Sequence, residues 1–412
     1  MGETIMPEER MPVLGVFLLA AASAAVHGDA SGQAAGGTAS NWTVSPQPER
    51  AYGWIEGEPN SEFYGIVGLA HGPDGNFAVA DRQLAMITVF SPDGTVIAAM
   101  GRQGDGPGEF RSLTGIVADE EGRFVVFDDA HQRLSEWTFD GTLVGDTRLS
   151  REGTDRRIGA VGQFADGSWY ASEGDRMVAT ELGDVGRDTV GYHRLREDGA
   201  VGEALVRVPG RVTTMFTVGG MPPGIRGALF SPRALDATRG NCLLAGASDD
   251  PVLRIFDRTG AALGELRLEV QVDRSTEDAR RQWISATIAV AREVGQEVGP
   301  RQERMVETVG EAMGMAERIP FAWDLIVDDL GYFWIQPYEL PDGPGNSEWR
   351  VFTETGQALG TVRLPEGFRA LRISSDAITG VWTDGLGRQF VQVYALDRGG
   401  DTEARPLPPG CG

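Results

Sequence analysis

The chain of 412 residues carries 60 acidic and 37 basic side chains, and its formal net charge of -23 at pH 7 disfavours nucleic acid and anionic membrane surfaces as partners. All of the basic side chains belong to arginine. The absence of lysine excludes a P-loop lysine, a Schiff-base lysine and a Ser–Lys catalytic dyad.

An apolar stretch lies near the N-terminus, at residues 11–25. It has the length of a signal-peptide core and is too short to cross a membrane as a helix. We therefore predict a signal peptide over residues 1–27 and, because the next residues are small and polar, a flexible linker over residues 28–41. The mature protein is expected in the periplasm or outside the cell, with no membrane span.

Residues 65–149 contain two tandem copies of one sequence repeat. Asp81 and Gly94 of the first copy recur as Asp128 and Gly141, each 47 positions later. Each copy alternates short apolar runs with Asp-Gly or Glu-Gly turns, a pattern typical of a four-stranded antiparallel meander. One such sheet cannot bury both of its faces, so repeated copies predict blades stacked around an axis, a β-propeller.

The two copies, with the loop GRQGDGPGEF at residues 101–110 between them, resemble the NHL-repeat six-bladed β-propellers. Within that family they are most similar to exported bacterial proteins. The resemblance is strong over residues 65–149 and weaker over residues 159–268 and 320–396. It implies an all-β six-bladed propeller, and it implies little about mechanism because the family is defined by its fold.

Six blades account for the length of the propeller, which we place at residues 42–397. Two inserts interrupt the blades, at residues 209–232 and 273–318, and six blades fit the repeat period once the inserts are removed. The last blade shows only three strands before a Pro- and Gly-rich tail at residues 398–412. We therefore predict that an N-terminal strand near residues 42–45 completes this blade and closes the ring.

The two inserts differ in character. In the second, Ser275 and Thr276 are suited to cap a helix, and the Gly299-Pro300 pair ends it before a second helix begins, which predicts a helical hairpin. The first insert contains an unusual number of Met, Pro and Phe residues, among them Met221 and Phe230. We expect it to plug the central channel or, alternatively, to line an apolar pocket.

The chain has two cysteines, Cys242 and Cys411. The tail is long enough to allow a disulfide between them, but two cysteines form no disulfide framework. We expect Cys242 to be a buried strand residue and Cys411 to be an unpaired thiol.

Unusual sequence gathers on one face of the predicted propeller. In a meander of four strands, the turn between the second and third strands and the connection to the next blade lie at the same end. The glycine-rich loop 101–110 and both inserts are such connections, so this end, the loop-rich face, surrounds one mouth of the central channel. Because function concentrates on loops held by a rigid scaffold, we predict the ligand site there. The candidate residues are Asp81, Arg102, Asp105, Asp128, Asp129, His131 and Asp249.

The aspartates of this set have two interpretations. An acidic ring could hold Ca²⁺, with Asp81, Asp128 and Asp249 as ligands. Alternatively, each aspartate accepts hydrogen bonds from backbone N–H groups of its own turn, and its recurrence in several blades favours this structural role. Arg102, Asp105 and Glu109 of the glycine-rich loop are similarly expected to form local ion pairs. No cofactor is predicted, and Ca²⁺ remains the open alternative.

The sequence contains no H-E-x-x-H, C-x-x-C or G-x-S-x-G motif, and we predict no catalytic residue. The leading hypothesis is a monomeric binding or scaffold module for a peptide, glycan or protein ligand at the loop-rich face. The alternative is a Ca²⁺-dependent hydrolase or lactonase that uses the channel mouth. A third hypothesis is that the helical hairpin docks another protein.

Overall fold

The computed structural model describes residues 42–412, apart from residue 73 and the segments 120–121, 219–221, 294–298 and 341–347. In this part of the chain, six antiparallel sheets follow one another along the sequence, and the fold is an all-β six-bladed propeller with an inserted helical hairpin. The predicted signal peptide and linker, residues 1–41, lie outside the described residues, as does Met221.

Two short strands precede the first blade, β1 (Thr43–Val44) and β2 (Arg50–Tyr52). Blade one contains β3 (Ile66–His71), β4 (Phe77–Asp81), β5 (Met86–Phe90) and β6 (Val96–Met100). Blade two, the second copy of the repeat, contains β7 (Leu113–Ala118), β8 (Arg123–Asp128), β9 (Arg133–Thr138) and β10 (Leu143–Arg148). In both blades each strand pairs antiparallel with the next one.

Blade three has a fifth strand; it contains β11 (Ile158–Gln163), β12 (Trp169–Glu173), β13 (Val185–Leu195), β14 (Val201–Phe216) and β15 (Gly224–Gly227). Blade four contains β16 (Ala234–Arg239), β17 (Cys242–Ala247), β18 (Asp250–Asp257) and β19 (Ala262–Arg267). The helices α1 (Glu277–Glu293) and α2 (Pro300–Ala312) follow.

Blade five contains β20 (Ala322–Val327), β21 (Phe333–Pro337), β22 (Glu348–Phe352) and β23 (Ala358–Arg363). Blade six contains β24 (Phe368–Ile373), β25 (Ala377–Thr383) and β26 (Gln389–Asp397). The first strands of neighbouring blades contact each other, as β3 contacts β7 and β20 contacts β24. The first strand of each blade therefore lies nearest the propeller axis.

The predicted closure by the N-terminus is confirmed. Both β1 and β2 pair antiparallel with β26, and Thr43 lies opposite Asp397 while Tyr52 lies opposite Val391. Trp42, at the start of this segment, packs its ring 5.8 Å from the ring of the fully buried Trp334 of blade five. Backbone pairing and an aromatic contact thus join the first described residues to the last two blades.

The Asp-Gly turns of the repeat depend on the positive φ that glycine can adopt. Gly94 and Gly141 occupy equivalent turns in blades one and two, with φ of 90° and 91°. An L-residue with a side chain rarely adopts this conformation, whereas glycine does so at no steric cost. The core then fills the space between blades: Phe124 and Val126 of blade two pack against Ala78 and Ala80 of blade one.

The described part of the first insert extends blade three and packs against the helical hairpin, and its prediction as a channel plug stays untested. Its first residues continue β14, which pairs with β15 and extends blade three as a long hairpin. Leu229 and Phe230 are buried against Ala279 of α1. The helical hairpin gives these apolar side chains a surface to pack against, and burial there removes them from water.

The second insert is the helical hairpin that the sequence predicts. The Thr276 hydroxyl accepts a hydrogen bond from the Ala279 N–H at 3.1 Å and caps α1, whereas the Ser275 side chain makes no hydrogen bond within the described residues. Pro300 begins α2. Arg280 of α1 donates to the Met313 carbonyl at 2.6 Å and so satisfies the end of α2. Neither helix of the described chain is long and apolar enough to span a membrane.

The C-terminal tail contradicts the expectation of two unpaired cysteines, because Cys242 and Cys411 form a disulfide. From the end of β26 the tail crosses the face opposite the loop-rich face. There the Arg405 N–H donates to the Leu330 carbonyl of blade five, at 2.6 Å. The Asn241 N–H of blade four donates to the Cys411 carbonyl at 2.8 Å. These contacts bring Cys411 to Cys242, which sequence separation alone did not predict.

Candidate functional site

The aspartates that end β4 and β8 cap the turns of their own blades. The Asp81 carboxylate accepts a hydrogen bond from the Gly65 N–H at 2.9 Å, and the Asp128 carboxylate accepts one from the Arg111 N–H at 2.7 Å. Both side chains are buried. Burial by itself raises the pKa of Asp128, but hydrogen bonds from the Arg111 and His131 N–H groups outweigh it and hold that pKa below its usual value. The geometry supports the structural role for both aspartates.

We expect Asp128→Ala to lower the free energy of unfolding by at least about 2 kcal/mol, because it leaves several backbone N–H groups of the turn without an acceptor in a buried place. Urea unfolding measures the loss. Asp140→Ala is the matched control, since Asp140 caps an exposed turn of the same blade. An equal loss for the two variants would show that burial of the Asp128 turn is irrelevant.

The glycine-rich loop holds itself together with charged side chains, as predicted. Arg102 donates to the Glu109 carboxylate at 2.7 Å, and Arg111 donates to the Asp105 carboxylate at 2.7 Å. The contact with Arg111, together with one from His131, holds the pKa of Asp105 below its usual value. These pairs are solvent-exposed, so their main effect is to fix the loop conformation.

His131 joins this loop to the second blade. Its Nε2 lies 2.7 Å from the Asp105 carboxylate and its Nδ1 lies 2.8 Å from the Asp128 carboxylate. Asp129 takes part through its backbone, whose N–H donates to the Ser112 carbonyl at 3.0 Å. The structure thus brings Asp105, Asp128 and His131 together, while Asp81 and Asp249 lie in other blades.

Asp249 lies in an ion pair that connects blades three and four. The Arg187 guanidinium of β13 donates two hydrogen bonds to its carboxylate, at 2.7 and 2.8 Å. Asp249 is largely buried, and its carbonyl accepts a hydrogen bond from Arg318 at 3.4 Å. A bidentate pair of this kind fixes both the distance and the orientation of the two blades at this point.

Around this pair is a cavity of about 210 Å³, which we name the insert cavity. One wall is the extended strand β14 of blade three, a second is formed by β17 and β18 of blade four, and a third is the segment that follows α2. The side chains of charged residues that line it are those of Arg187, Asp249, Asp250, Arg254, Glu317 and Arg318. Blade residues form most of the walls, and both inserts contribute, the first through Pro209 and the second through Glu317 and Arg318.

The three residues proposed as Ca²⁺ ligands are not brought together. Asp81 and Asp128 accept backbone hydrogen bonds in separate blades, and Asp249 is paired with Arg187. Among the residues that the structure describes, no three His, Cys, Asp or Glu side chains form a group that could hold a metal ion. The Ca²⁺ hypothesis remains untested by these contacts.

A second polar group, which the sequence analysis missed, lies near the propeller axis on the first strands of blades four, five and six. This group, which we name the channel recess, consists of Arg233 directly before β16 and of Asp236, Trp323, Asp324 and Arg369 on the strands; Arg233 and Arg369 lie near Asp324, and Asp324 lies near Asp236. The Arg233 guanidinium lies 4.7 Å from the centre of the Trp323 ring and donates to the Trp323 carbonyl at 3.0 Å. Trp323 is 45% exposed and lies at the end of β20 that meets the loop-rich face.

Asp236 is held between two tyrosines of blade three. The Tyr170 hydroxyl donates to one carboxylate oxygen at 2.9 Å, and the Tyr192 hydroxyl donates to the other at 3.0 Å. Burial raises the pKa of Asp236 even though both hydroxyls lower it, and the nearby charge of Asp324 raises it further. Burial also places the pKa of both tyrosines well above their usual value. The carboxyl and the two phenols therefore share a poorly hydrated environment.

The other charged groups of the recess show the same effect. Burial raises the pKa of Asp324 although Arg233 and Arg369 lower it. Burial likewise lowers the pKa of Arg369, whose guanidinium donates to the Ile66 carbonyl at 2.8 Å. The Arg369 side chain is nevertheless reached by solvent. Arg369 is therefore reached by solvent and close to Asp324 at the same time.

A sequence signal for this site exists in the innermost strands. Gly68 of β3, Gly115 of β7 and Asp324 of β20 each follow the same shift in pairing register with the second strand of their blade. An aspartate thus occupies in blade five the position at which blades one and two have glycine. An alignment of the first strands therefore marks Asp324, whereas the aspartates that recur at the ends of the second strands do not point to it.

Comparisons with known proteins agree with the architecture. The model of a family described as a 6-bladed beta-propeller matches residues 65–154, which contain both copies of the repeat. This match confirms the resemblance to six-bladed propellers. A search of curated proteins gives no match.

Similar solved structures include a protein of Bacteroides fragilis described as exported, which is 9% identical, with 86% of this chain and 95% of that chain covered and a TM-score of 0.48. A Bacteroides vulgatus protein is 9% identical, with 87% and 99% covered and a TM-score of 0.48. A gluconolactonase of Xanthomonas campestris is 13% identical, with 89% and 99% covered and a TM-score of 0.39. Similarity at this level carries no conclusion about the ligand or reaction of this chain.

Proposed function

We propose that this protein is an exported binding module, and that it takes a peptide or protein ligand at the loop-rich face, with one anchoring side chain in the insert cavity. The observation that carries this proposal is the cavity itself, which lies between blades three and four and is completed by Pro209 of the first insert and by Glu317 and Arg318 of the second. The rigid propeller supplies the scaffold, and the inserted elements supply a concave surface on it.

The size of the cavity favours a peptide over a whole small molecule. Its volume of about 210 Å³ is below the roughly 300–1,000 Å³ of ordinary small-molecule sites. A single side chain of a larger ligand would fill it, and interfaces commonly depend on such buried anchors. The rest of the ligand would lie across the loop-rich face.

Three basic and three acidic side chains line the cavity, among them Asp250, and the two arginines without an ion pair in the described part of the chain, Arg254 and Arg318, favour a carboxylate as the anchor. Asp249 is paired with Arg187, and Glu317 lies 3.8 Å from Arg274. Arg254 is exposed, and it makes no ion pair within the described part of the chain. Arg318 makes a hydrogen bond to a carbonyl only. Guanidinium groups of this kind bind carboxylates through paired hydrogen bonds.

Export rests on two observations of different kinds. The apolar stretch at residues 11–25 has the character of a signal peptide, although it lies outside the described residues. The disulfide between Cys242 and Cys411 is of the sort that persists in oxidising compartments and is rare in the cytosol. Together they support a periplasmic or extracellular location.

The test uses a peptide array in which only the central side chain varies among Asp, Glu, Lys, Arg and Leu. The mature protein is expected to bind the Asp and Glu peptides best. Arg254→Glu is expected to weaken that binding about tenfold, because it replaces an attractive charge by a repulsive one at the anchor. Arg301→Glu is the matched control, since Arg301 is exposed on α2 and does not line the cavity.

Equal binding by the two variants would contradict the proposed position of the anchor. Failure of the mature protein to bind any carboxylate-centred peptide better than the Leu peptide would contradict the proposed ligand. The Ca²⁺-dependent hydrolase and the docking of a partner on the helical hairpin remain untested, because no specific contact favours either of them.

A further inference from the structure

We propose that the channel recess is a binding site for a neutral saccharide, distinct from the peptide site in the insert cavity. The recess and the cavity have no lining residue in common. The proposal concerns the residues on the first strands of blades four to six, which no part of the peptide-binding role requires.

The first argument is the balance of hydrogen-bonding groups. Arg233 and Arg369 are donors, whereas Asp236 and Asp324 are acceptors when ionised. Two positive and two negative charges leave the recess without net charge. A sugar carries many hydroxyl groups, each of which both donates and accepts, so it can satisfy this mixed set without bringing a charge of its own.

Acceptor capacity remains on both carboxylates. Each oxygen of Asp236 accepts one tyrosine hydroxyl, which leaves a second lone pair on each oxygen. Asp324 accepts a hydrogen bond from the Leu325 N–H at 2.9 Å and makes no ion pair with an arginine in the described residues. Poorly hydrated acceptors of this kind gain from a ligand hydroxyl, because an unsatisfied polar group in a recess is costly.

The second argument is the exposed aromatic ring at the rim. Trp323 is 45% exposed although it stacks with Arg233, and Tyr338 of blade five lies 6.2 Å from it. An aromatic ring offers a flat apolar surface, and the C–H face of a pyranose ring packs on such a surface while its hydroxyls stay free to bond. Arg233 stacks on the Trp323 ring and lies near enough to Asp324 to lower its pKa, so ring and carboxylate share this neighbour.

The charge distribution disfavours a cation as the ligand. Arg233 and Arg369 lie near enough to Asp324 to lower its pKa, so both would repel an amine or a metal ion approaching that carboxylate. Asp236 and Asp324 would likewise repel an anion that approached the two arginines. A neutral, polyhydroxylated ligand avoids both penalties.

The test is saturation-transfer difference NMR on the full mature protein. The probes are neutral hexoses and N-acetylhexosamines, each offered as the monosaccharide and as a tetrasaccharide. We expect at least one probe to bind, with the strongest transfer to its ring C–H protons. Trp323→Ala should weaken binding about tenfold, while Trp323→Phe keeps most of it. Asp324→Asn, which preserves shape but removes the ionised acceptor, should also weaken it.

Arg254→Glu is the control for the insert cavity, and it should leave saccharide binding unchanged. Circular dichroism confirms that each variant is folded. The proposal is overturned if no probe gives transfer, if Trp323→Ala binds as the wild type does, or if a diamine probe binds at the recess in place of the sugars. A loss caused by Arg254→Glu would instead place the sugar in the insert cavity.

Discussion

Breaking the disulfide is expected to lower the free energy of unfolding by up to about 5 kcal/mol. Cys242 and Cys411 are separated by 169 positions, and the loop that they close contains the last three strands of blade four, the helical hairpin, blade five and strands β24 to β26. A cross-link over so long a loop removes many conformations from the unfolded chain, and this entropy is the larger part of the expected effect. Guanidinium unfolding of Cys411→Ser against the oxidised wild type measures it.

Both cysteine side chains are fully buried, so a serine in either position also loses packing. The reduced wild type separates the two effects, because it lacks the bond but keeps both sulfur atoms in place. If cross-linking dominates, the reduced wild type and Cys411→Ser should unfold at nearly the same denaturant concentration. A reduced wild type as stable as the oxidised protein would refute the prediction.

Different contacts hold the first described strands and the C-terminal tail on the propeller. The N-terminal strands close blade six through backbone hydrogen bonds, and the tail crosses from blade six to blade four on the opposite side from the inserts. Arg398, at the start of the tail, donates to the Asp328 carboxylate at 2.7 Å and lies 4.4 Å from the centre of the Trp42 ring. One buried guanidinium thus joins the start of the tail to Trp42, the first described residue, and to blade five.

The architecture could be predicted from the sequence because its signals are local and periodic. Gly94 and Gly141 mark equivalent turns, Asp81 and Asp128 end equivalent strands, and each is recognisable within one repeat. The missing fourth strand of the last blade likewise indicated closure by the N-terminus. None of these inferences required knowing which distant residues meet.

The parts that were missed depend on distant contacts. The disulfide requires the path of the tail across two blades, and the place of Phe230 requires the position of α1. The channel recess requires three inner strands to converge, so Asp236 and Arg369 look unremarkable in their own segments. Asp81 and Asp128 recur because each accepts backbone hydrogen bonds in the equivalent turn of its own blade.

A buried ionic network in blade three has a similarly large expected effect. The Glu173 carboxylate accepts hydrogen bonds from Thr154 at 2.7 Å and from Arg207 at 3.0 and 3.1 Å, and it lies 3.0 Å from His193 Nε2. Arg156 lies 3.2 Å from it and also pairs with Asp188. Burial by itself raises the pKa of Glu173, but these partners bring it from its ordinary 4.5 to about 2.

The sign of the pH dependence follows from this lowered pKa. Above pH 4.5 the carboxylate is ionised in both the folded and the unfolded chain, and its stabilising contribution is fully present. As the pH falls from 4.5 towards about 2, the unfolded chain takes up the proton first, so this contribution is progressively lost. The wild type should therefore lose stability in that window.

Glu173→Gln is expected to destabilise the protein by about 3 kcal/mol at neutral pH, because it leaves the guanidinium groups of Arg156 and Arg207 beside a buried neutral amide. The difference from the wild type should shrink as the pH falls from 4.5 to about 2, since protonation removes the same charge from the wild type. Urea unfolding across this range measures both effects.

Glu203→Gln, on an exposed position of β14, is the control and should follow the wild-type curve. A Glu173→Gln curve that runs parallel to the wild type at every pH would mean that the loss comes from shape, not from the charge of Glu173.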